Sequence, residues 1–74
     1  MIKLKTLLYL IPRYQLIEVT YYRRDKPQIQ ETAIKEDLMQ KSYVSDYVVT
    51  SVQAQALQGI LYIKCEERMK KFFE

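Results

Sequence analysis

The chain contains no histidine and no tryptophan, and only one cysteine, one glycine and two prolines. Each shortage removes a class of chemistry. Without histidine there is no imidazole to activate a serine or cysteine nucleophile, and no histidine ligand for zinc. Cys65 stands alone, so it cannot close a disulfide within the chain or build a structural zinc site. A single glycine excludes the glycine-rich loops that bring several backbone N–H groups onto a phosphate. Carboxylates occur side by side at Glu36/Asp37 and Glu66/Glu67. Adjacent residues on a helix do not share a face, so neither pair reads as an acid/base dyad. Cys65 follows Leu61 and Ile63 at the spacing of one strand face, which marks it as a small buried hydrophobe rather than a nucleophile. The expectation is a protein that is not an enzyme and takes no cofactor or metal.

Long apolar runs are missing too. Two lysines precede residues 7–11 in the manner of a secretion signal, but the run is short and no small-residue cleavage site follows. No stretch approaches the roughly 20 apolar residues of a membrane span. A lone thiol suits a reducing compartment, so the expected location is cytoplasmic.

Seventy-four residues make one small domain spanning 1–74. A chain of this size buries only about 60% of the surface it exposes when unfolded, and its core supplies roughly 3 to 5 kcal/mol of net stability. Small folds are commonly reinforced by disulfides, a metal or a partner chain. With the first two excluded, a homo-oligomer is expected, a dimer first. The hydrophobic fraction of 49% is that of a globular chain. Twelve basic against nine acidic residues leave a net charge of +3, which is compatible with an acidic partner without specifying one.

The clearest element lies in residues 14–24, YQLIEVTYYRR. Leu16, Glu18, Thr20 and Tyr22 alternate with Ile17, Val19 and Tyr21, and β-branched and aromatic residues favour a strand. Before it, Leu4, Leu7, Leu8 and Ile11 recur at helical spacing, which predicts a short helix over 3–11 that Pro12 stops. After it, residues 23–27 read as a polar turn and 28–33 as a second, weakly apolar edge strand open to strand addition. Thr32 is a candidate cap for a helix through 33–41, with Ile34, Leu38 and Met39 on its apolar side and a charge order that suits the helix dipole. Residues 42–46 read as a loop. Residues 47–54 form a third strand whose valines break the period of two, as a bulge near Thr50 would explain. Residues 55–59 turn on Gly59. Residues 60–66 form a fourth strand with Leu61, Ile63 and Cys65 inward. Met69, Phe72 and Phe73 give residues 66–74 the spacing of a terminal helix and make them candidates for an oligomer contact. The predicted fold is therefore α+β, in the order α-β-β-α-β-β-α. It joins two hairpins into a four-stranded antiparallel sheet with helices on one face.

Tyrosine is the abundant aromatic, with seven residues against two phenylalanines. Tyrosine and arginine are enriched at the energetic centres of interfaces, because a rigid ring with a polar tip gives contact area at small entropic cost. Tyr14, Tyr21, Tyr22, Arg23 and Arg24 bracket the first strand and are the candidate binding residues. Strand propensity and turn polarity would account for the same residues without any function. Arg68, Lys70 and Lys71 form a second basic group that reads equally as a solvated helix face.

The segments LLYLIPRYQLIEV, KEDLM, DYVVTSVQA and GILYIKC, taken in order, resemble the short accessory proteins carried by phages and prophages of Gram-positive bacteria. The basic YYRRDK turn departs from that pattern. The resemblance spans residues 4–65 and carries over no binding residue. It implies a small protein that binds host machinery stoichiometrically, as inhibitors of CRISPR effectors and sponges for immune nucleotide signals do. The leading expectation is thus a non-enzymatic phage-type binding protein that occupies or sequesters a host target, for example as a host-defence inhibitor. A small nucleic-acid-binding regulator is the first alternative, although charges of both signs and the lack of a recognised DNA- or RNA-binding motif weigh against it. A self-associating virion or assembly component is the second.

Overall fold

The computed structural model describes residues 2–55 and 57–68. Helix α1 (Leu4–Tyr9) opens the chain, followed by strands β1 (Leu16–Tyr22) and β2 (Ile29–Ile34), helix α2 (Lys35–Met39), a 3-10 helix (Ser42–Asp46), and strands β3 (Tyr47–Gln55) and β4 (Ile60–Glu67). The strands form one sheet in the order β2-β1-β4-β3. Both hairpins are present, β1 antiparallel to β2 and β3 antiparallel to β4. They are joined differently from the all-antiparallel expectation: β1 and β4 run parallel, in register from Leu16↔Ile60 to Tyr22↔Glu66. The fold is a small α+β domain with a mixed sheet.

Parallel neighbours need a crossover, and here the crossover is β2, α2, the 3-10 helix and β3 together. Its helices lie with α1 on one side of the sheet. Ile17, Val19 and Tyr21 of β1, Ile63 and Cys65 of β4, and Tyr47 and Val49 of β3 form a single buried cluster with Leu4, Leu8 and Ile11 of the α1 region, Leu38 of α2 and Val44 of the 3-10 helix. The inward residues of β1 and β4 and the apolar stripe of α1 are those the alternation predicts. The opposite face, with Glu18, Thr32, Tyr62 and Gln53 in one register row, carries no helix among the described residues.

Local details follow from backbone hydrogen bonding. Helix α1 ends at Tyr9, where the N–H groups of Leu10 and Ile11 donate to the carbonyls of Leu7 and Leu8 ahead of Pro12. Thr32 does not cap α2. It lies in β2, the N-cap position is Ile34 with no side-chain cap, and the N–H groups of Lys35 and Glu36 donate to the carbonyls of Gln15 and Arg13. Orphan donors at a helix start need acceptors, and carbonyls from the chain just before β1 supply them. The hairpin turns use residues with positive φ, Asp25 at 59° and Gly59 at 65°. The register of β3 shifts between Val49 and Ser51, which places the bulge at Thr50. Glu66 and Glu67 belong to β4 rather than to a terminal helix. The oligomer contact expected of Met69, Phe72 and Phe73 lies outside the described residues. Among the described residues, no helix is long and apolar enough to cross a membrane.

Leu8 is fully buried on α1, whereas Tyr9 beside it is 65% exposed. Leu8→Ala should remove about 2 to 5 kcal/mol, an amount comparable with the roughly 3 to 5 kcal/mol a core of this size supplies. By circular dichroism that variant should be largely unfolded at room temperature. Tyr9→Ala should stay within about 0.5 kcal/mol of the wild type.

Candidate functional site

The parallel pairing brings the carboxyl ends of β1 and β4 to the same end of the sheet. Tyr22, the last residue of β1, pairs with Glu66. There the chain leaves β1 through Arg23 and Arg24, and Tyr22, Arg23, Arg24, Glu66 and Glu67 line an open recess of about 270 Å³. Arg23 is held in place: its Nε and Nη2 donate to the carbonyl of Pro27 at 3.1 and 2.8 Å across the turn. Arg24 is exposed, and the Tyr22 ring is 40% exposed. Among the described residues the one ion pair is Lys41–Glu31, so neither guanidinium is paired with Glu66 or Glu67. The recess offers a phenol, two guanidiniums and two carboxylates to whatever enters it.

Of the five candidate binding residues, three meet at this recess. Tyr14 is well exposed but precedes β1, and Gln15 and six strand residues at about 3.3 Å each separate it from Tyr22. Tyr21 is corrected outright. It is 2% exposed and belongs to the core, because consecutive strand residues face opposite sides and Tyr21 takes the side of Ile17 and Val19.

On that inner side Tyr21 anchors a second group of polar residues. Its ring meets Tyr47 edge-on with centroids 4.7 Å apart and Tyr43 at 5.7 Å, the arrangement that aromatic quadrupoles favour. Its hydroxyl donates to Glu31 Oε1 at 2.9 Å. The Tyr43 hydroxyl lies 2.8 and 2.7 Å from the two Glu31 oxygens, and Lys41 Nζ is 3.2 Å from Oε2. Burial alone would push the Glu31 carboxyl up. Hydrogen bonds from Tyr43, Tyr21 and Lys41, with the ammonium charge, outweigh it and hold the group below its ordinary value. Burial first, then the hydrogen bond to Glu31, raises both Tyr21 and Tyr43. Glu31 raises Lys41 by hydrogen bonding and by charge. The group is a closed hydrogen-bond network in which each side chain satisfies another.

Sequence reasoning missed Glu31, although a signal was there. Glu31 shares its parity in β2 with Ile29 and Ala33 and stands opposite Val19, so the strand aims a charge at the core side, where it needs partners. Cys65 is fully buried; its thiol donates to the Thr20 carbonyl at 3.6 Å, and burial pushes its pKa up to about 12. The carboxylates Glu36 and Asp37 lie on α2 in its first turn. Among the described residues no group of three or more Cys, Asp or Glu side chains is arranged to hold a metal ion.

No protein-family model matches the chain, no curated protein matches it, and no solved structure matches its fold.

The Glu31 network sets a pH dependence. A carboxyl whose folded pKa lies below its unfolded value of 4.5 stabilises the fold above that value. The contribution is lost as pH falls through the folded pKa, because the unfolded state binds more protons in between. Glu31→Gln should lower stability by about 1 to 2 kcal/mol at pH 7, measured by urea unfolding. The deficit relative to wild type should shrink below pH 4.5. A deficit independent of pH would place the network's contribution in packing instead.

Proposed function

We propose that this chain is a non-enzymatic interaction protein that occupies a macromolecular target through Tyr22, Arg23 and Arg24 at the carboxyl ends of β1 and β4. The observation that carries the reading is the recess itself, with two guanidiniums that form no direct ion pair with a described carboxylate, one of them fixed by the Pro27 carbonyl. A pre-positioned arginine beside an exposed ring is the kind of anchor that dominates protein interfaces, since little side-chain entropy remains to be lost on binding.

The chemistry of the lining favours a protein target over a nucleic acid. Glu66 and Glu67 share the recess with the arginines, and their carboxylates would repel a phosphate backbone and offset the gain from counterion release that drives such binding. A partner surface carrying both signs of charge fits the lining better. The sequence resemblance to phage accessory proteins supports a host protein as that partner, with occupation of its working surface as the mode of action.

Arg24 and Tyr22 are the clean probes, because Arg23→Ala would also remove the two hydrogen bonds that shape the turn. The tagged protein should retain a stoichiometric complex from a Gram-positive host lysate, identified by native mass. Arg24→Glu and Tyr22→Ala should each weaken that complex at least about tenfold, as loss of a central anchor does. Their melting temperatures should remain near that of the wild type. Undiminished complex formation by both variants would rule the recess out. Binding to oligonucleotides that falls steeply with salt would identify a nucleic-acid partner instead.

A further inference from the structure

Each edge of a sheet exposes a row of unpaired backbone donors and acceptors, and folded proteins blunt such rows with charge, proline or a covering segment. The β2 edge has Pro27 two residues before it and Glu31 within it. The β3 edge is treated in two halves. Its first half is covered: Lys3 bridges to Val48 in antiparallel fashion, and the Val49 N–H donates to the Ile2 carbonyl at 2.8 Å. The bulge at Thr50 follows. Its second half, residues 51–55, has no such cover from the described residues and is exposed throughout. Residues 47–63 include no Asp, Glu, Lys, Arg or Pro, so neither charge nor proline guards it.

We propose that residues 51–55 are a strand-pairing edge whose occupant is a second copy of this chain, added antiparallel about a two-fold axis at Gln53. Charge argues for the second copy. In a symmetric antiparallel pair the residue on the axis meets its own copy, and its neighbours meet in swapped pairs, so a charge on the axis faces the same charge and like charges flanking it face one another. Residues 51–55 carry no charge at all, so self-pairing meets no such repulsion. Face matching agrees. With the axis at Gln53, Val52 of one copy stands opposite Ala54 of the other, and both lie on the helix-covered side, in register with Ile63 and Leu61.

That side also has room for the added side chain. Leu10, Ile11, Pro12, Ala54 and Leu61 line an apolar recess of about 260 Å³, and Val52 of the second copy, opposite Ala54, arrives at its rim. Val52 is 48% exposed in the single chain. The pairing would give an eight-stranded continuous sheet. It also leaves the Tyr22–Arg24 recess of each copy free, since that recess lies at the other end of β4. The self-pairing reading and the target-binding reading therefore stand or fall separately.

The test is sedimentation velocity of the full chain over a concentration series, with Gln53→Lys and Gln53→Glu, each checked by circular dichroism to be folded. The wild type should reach a dimer. Each variant alone places like charges opposite one another and should self-associate at least about fivefold more weakly, whereas an equimolar mixture of the two should restore the dimer. A wild type that stays monomeric throughout would overturn the proposal and leave the edge to an extended segment of another protein. Variants that dimerise as tightly as the wild type would overturn it as well, by placing the contact between copies elsewhere. A mixture that fails to re-form dimers would remove the two-fold at Gln53.

Discussion

The parallel register of β1 against β4 is the constraint from which the rest of the architecture follows. Two hairpins could have been laid end to end as a meander. Instead β1 and β4 occupy the centre of the sheet, and the chain must cross from one edge to the other to connect them. The crossover carries α2 and the 3-10 helix over the face already covered by α1, which buries that face, while among the described residues no helix lies on the other. The same register sends β1 and β4 out of the sheet at one end, where the turn residues of the first hairpin meet the acidic end of the second. The recess and the two sheet edges are both consequences of one pairing.

Within that frame the weakest strand is β2, which has no fully buried residue. Hydrophobic burial cannot hold it well, and a charged side chain on its inward side would ordinarily loosen it further. Glu31 reverses that effect. Its carboxylate accepts from Tyr21 on the neighbouring strand, from Tyr43 in the 3-10 helix and from Lys41 just before it. The crossover is thereby tied to the strand it has just left. Hydrogen bonds to a carboxylate that is only partly desolvated are among the stronger ones available to a small protein, so the edge strand is fastened by polarity where apolar area is scarce.

Much of this fold is legible in the sequence because side-chain periodicity reports which face a residue takes. Ile17, Val19 and Tyr21, the α1 stripe, the inward Ile63 and Cys65, and the bulge at Thr50 all follow from counting by two or by three and four. Periodicity is blind to strand direction, since a strand alternates in the same way beside a parallel or an antiparallel neighbour, and so the β1–β4 pairing was not legible. Nor was the start of α2, whose N–H groups are taken by Arg13 and Gln15 carbonyls rather than by the side chain of Thr32. In the candidate site the same rule was available and was overridden by composition. Tyr21 and Tyr22 are adjacent and rich in tyrosine character, yet alternation alone assigns one to the core and the other to the surface. Glu66 and Glu67 joined the site only through three-dimensional register, because nothing local in the sequence brings them to the end of β1.

The distribution of charge along the sheet bears on how such a small surface could serve two contacts. At the end where β1 and β4 finish, arginines and glutamates crowd together. At the opposite corner, where β4 begins beside the end of β3, Ile60 pairs with Leu16 and with Gln55, and residues 51–63 contribute no charge, while Arg13, Lys35 and Glu36 lie on the β2 side of that end. A partner of mixed charge gains nothing from the neutral corner, because it would leave its own ions without counterparts there. A neutral strand gains nothing from the charged end, because its backbone groups would compete with side chains that already bind water strongly. On the proposed readings the two surfaces would select different chemistry by what each of them lacks, and a contact made at one would not displace a contact made at the other.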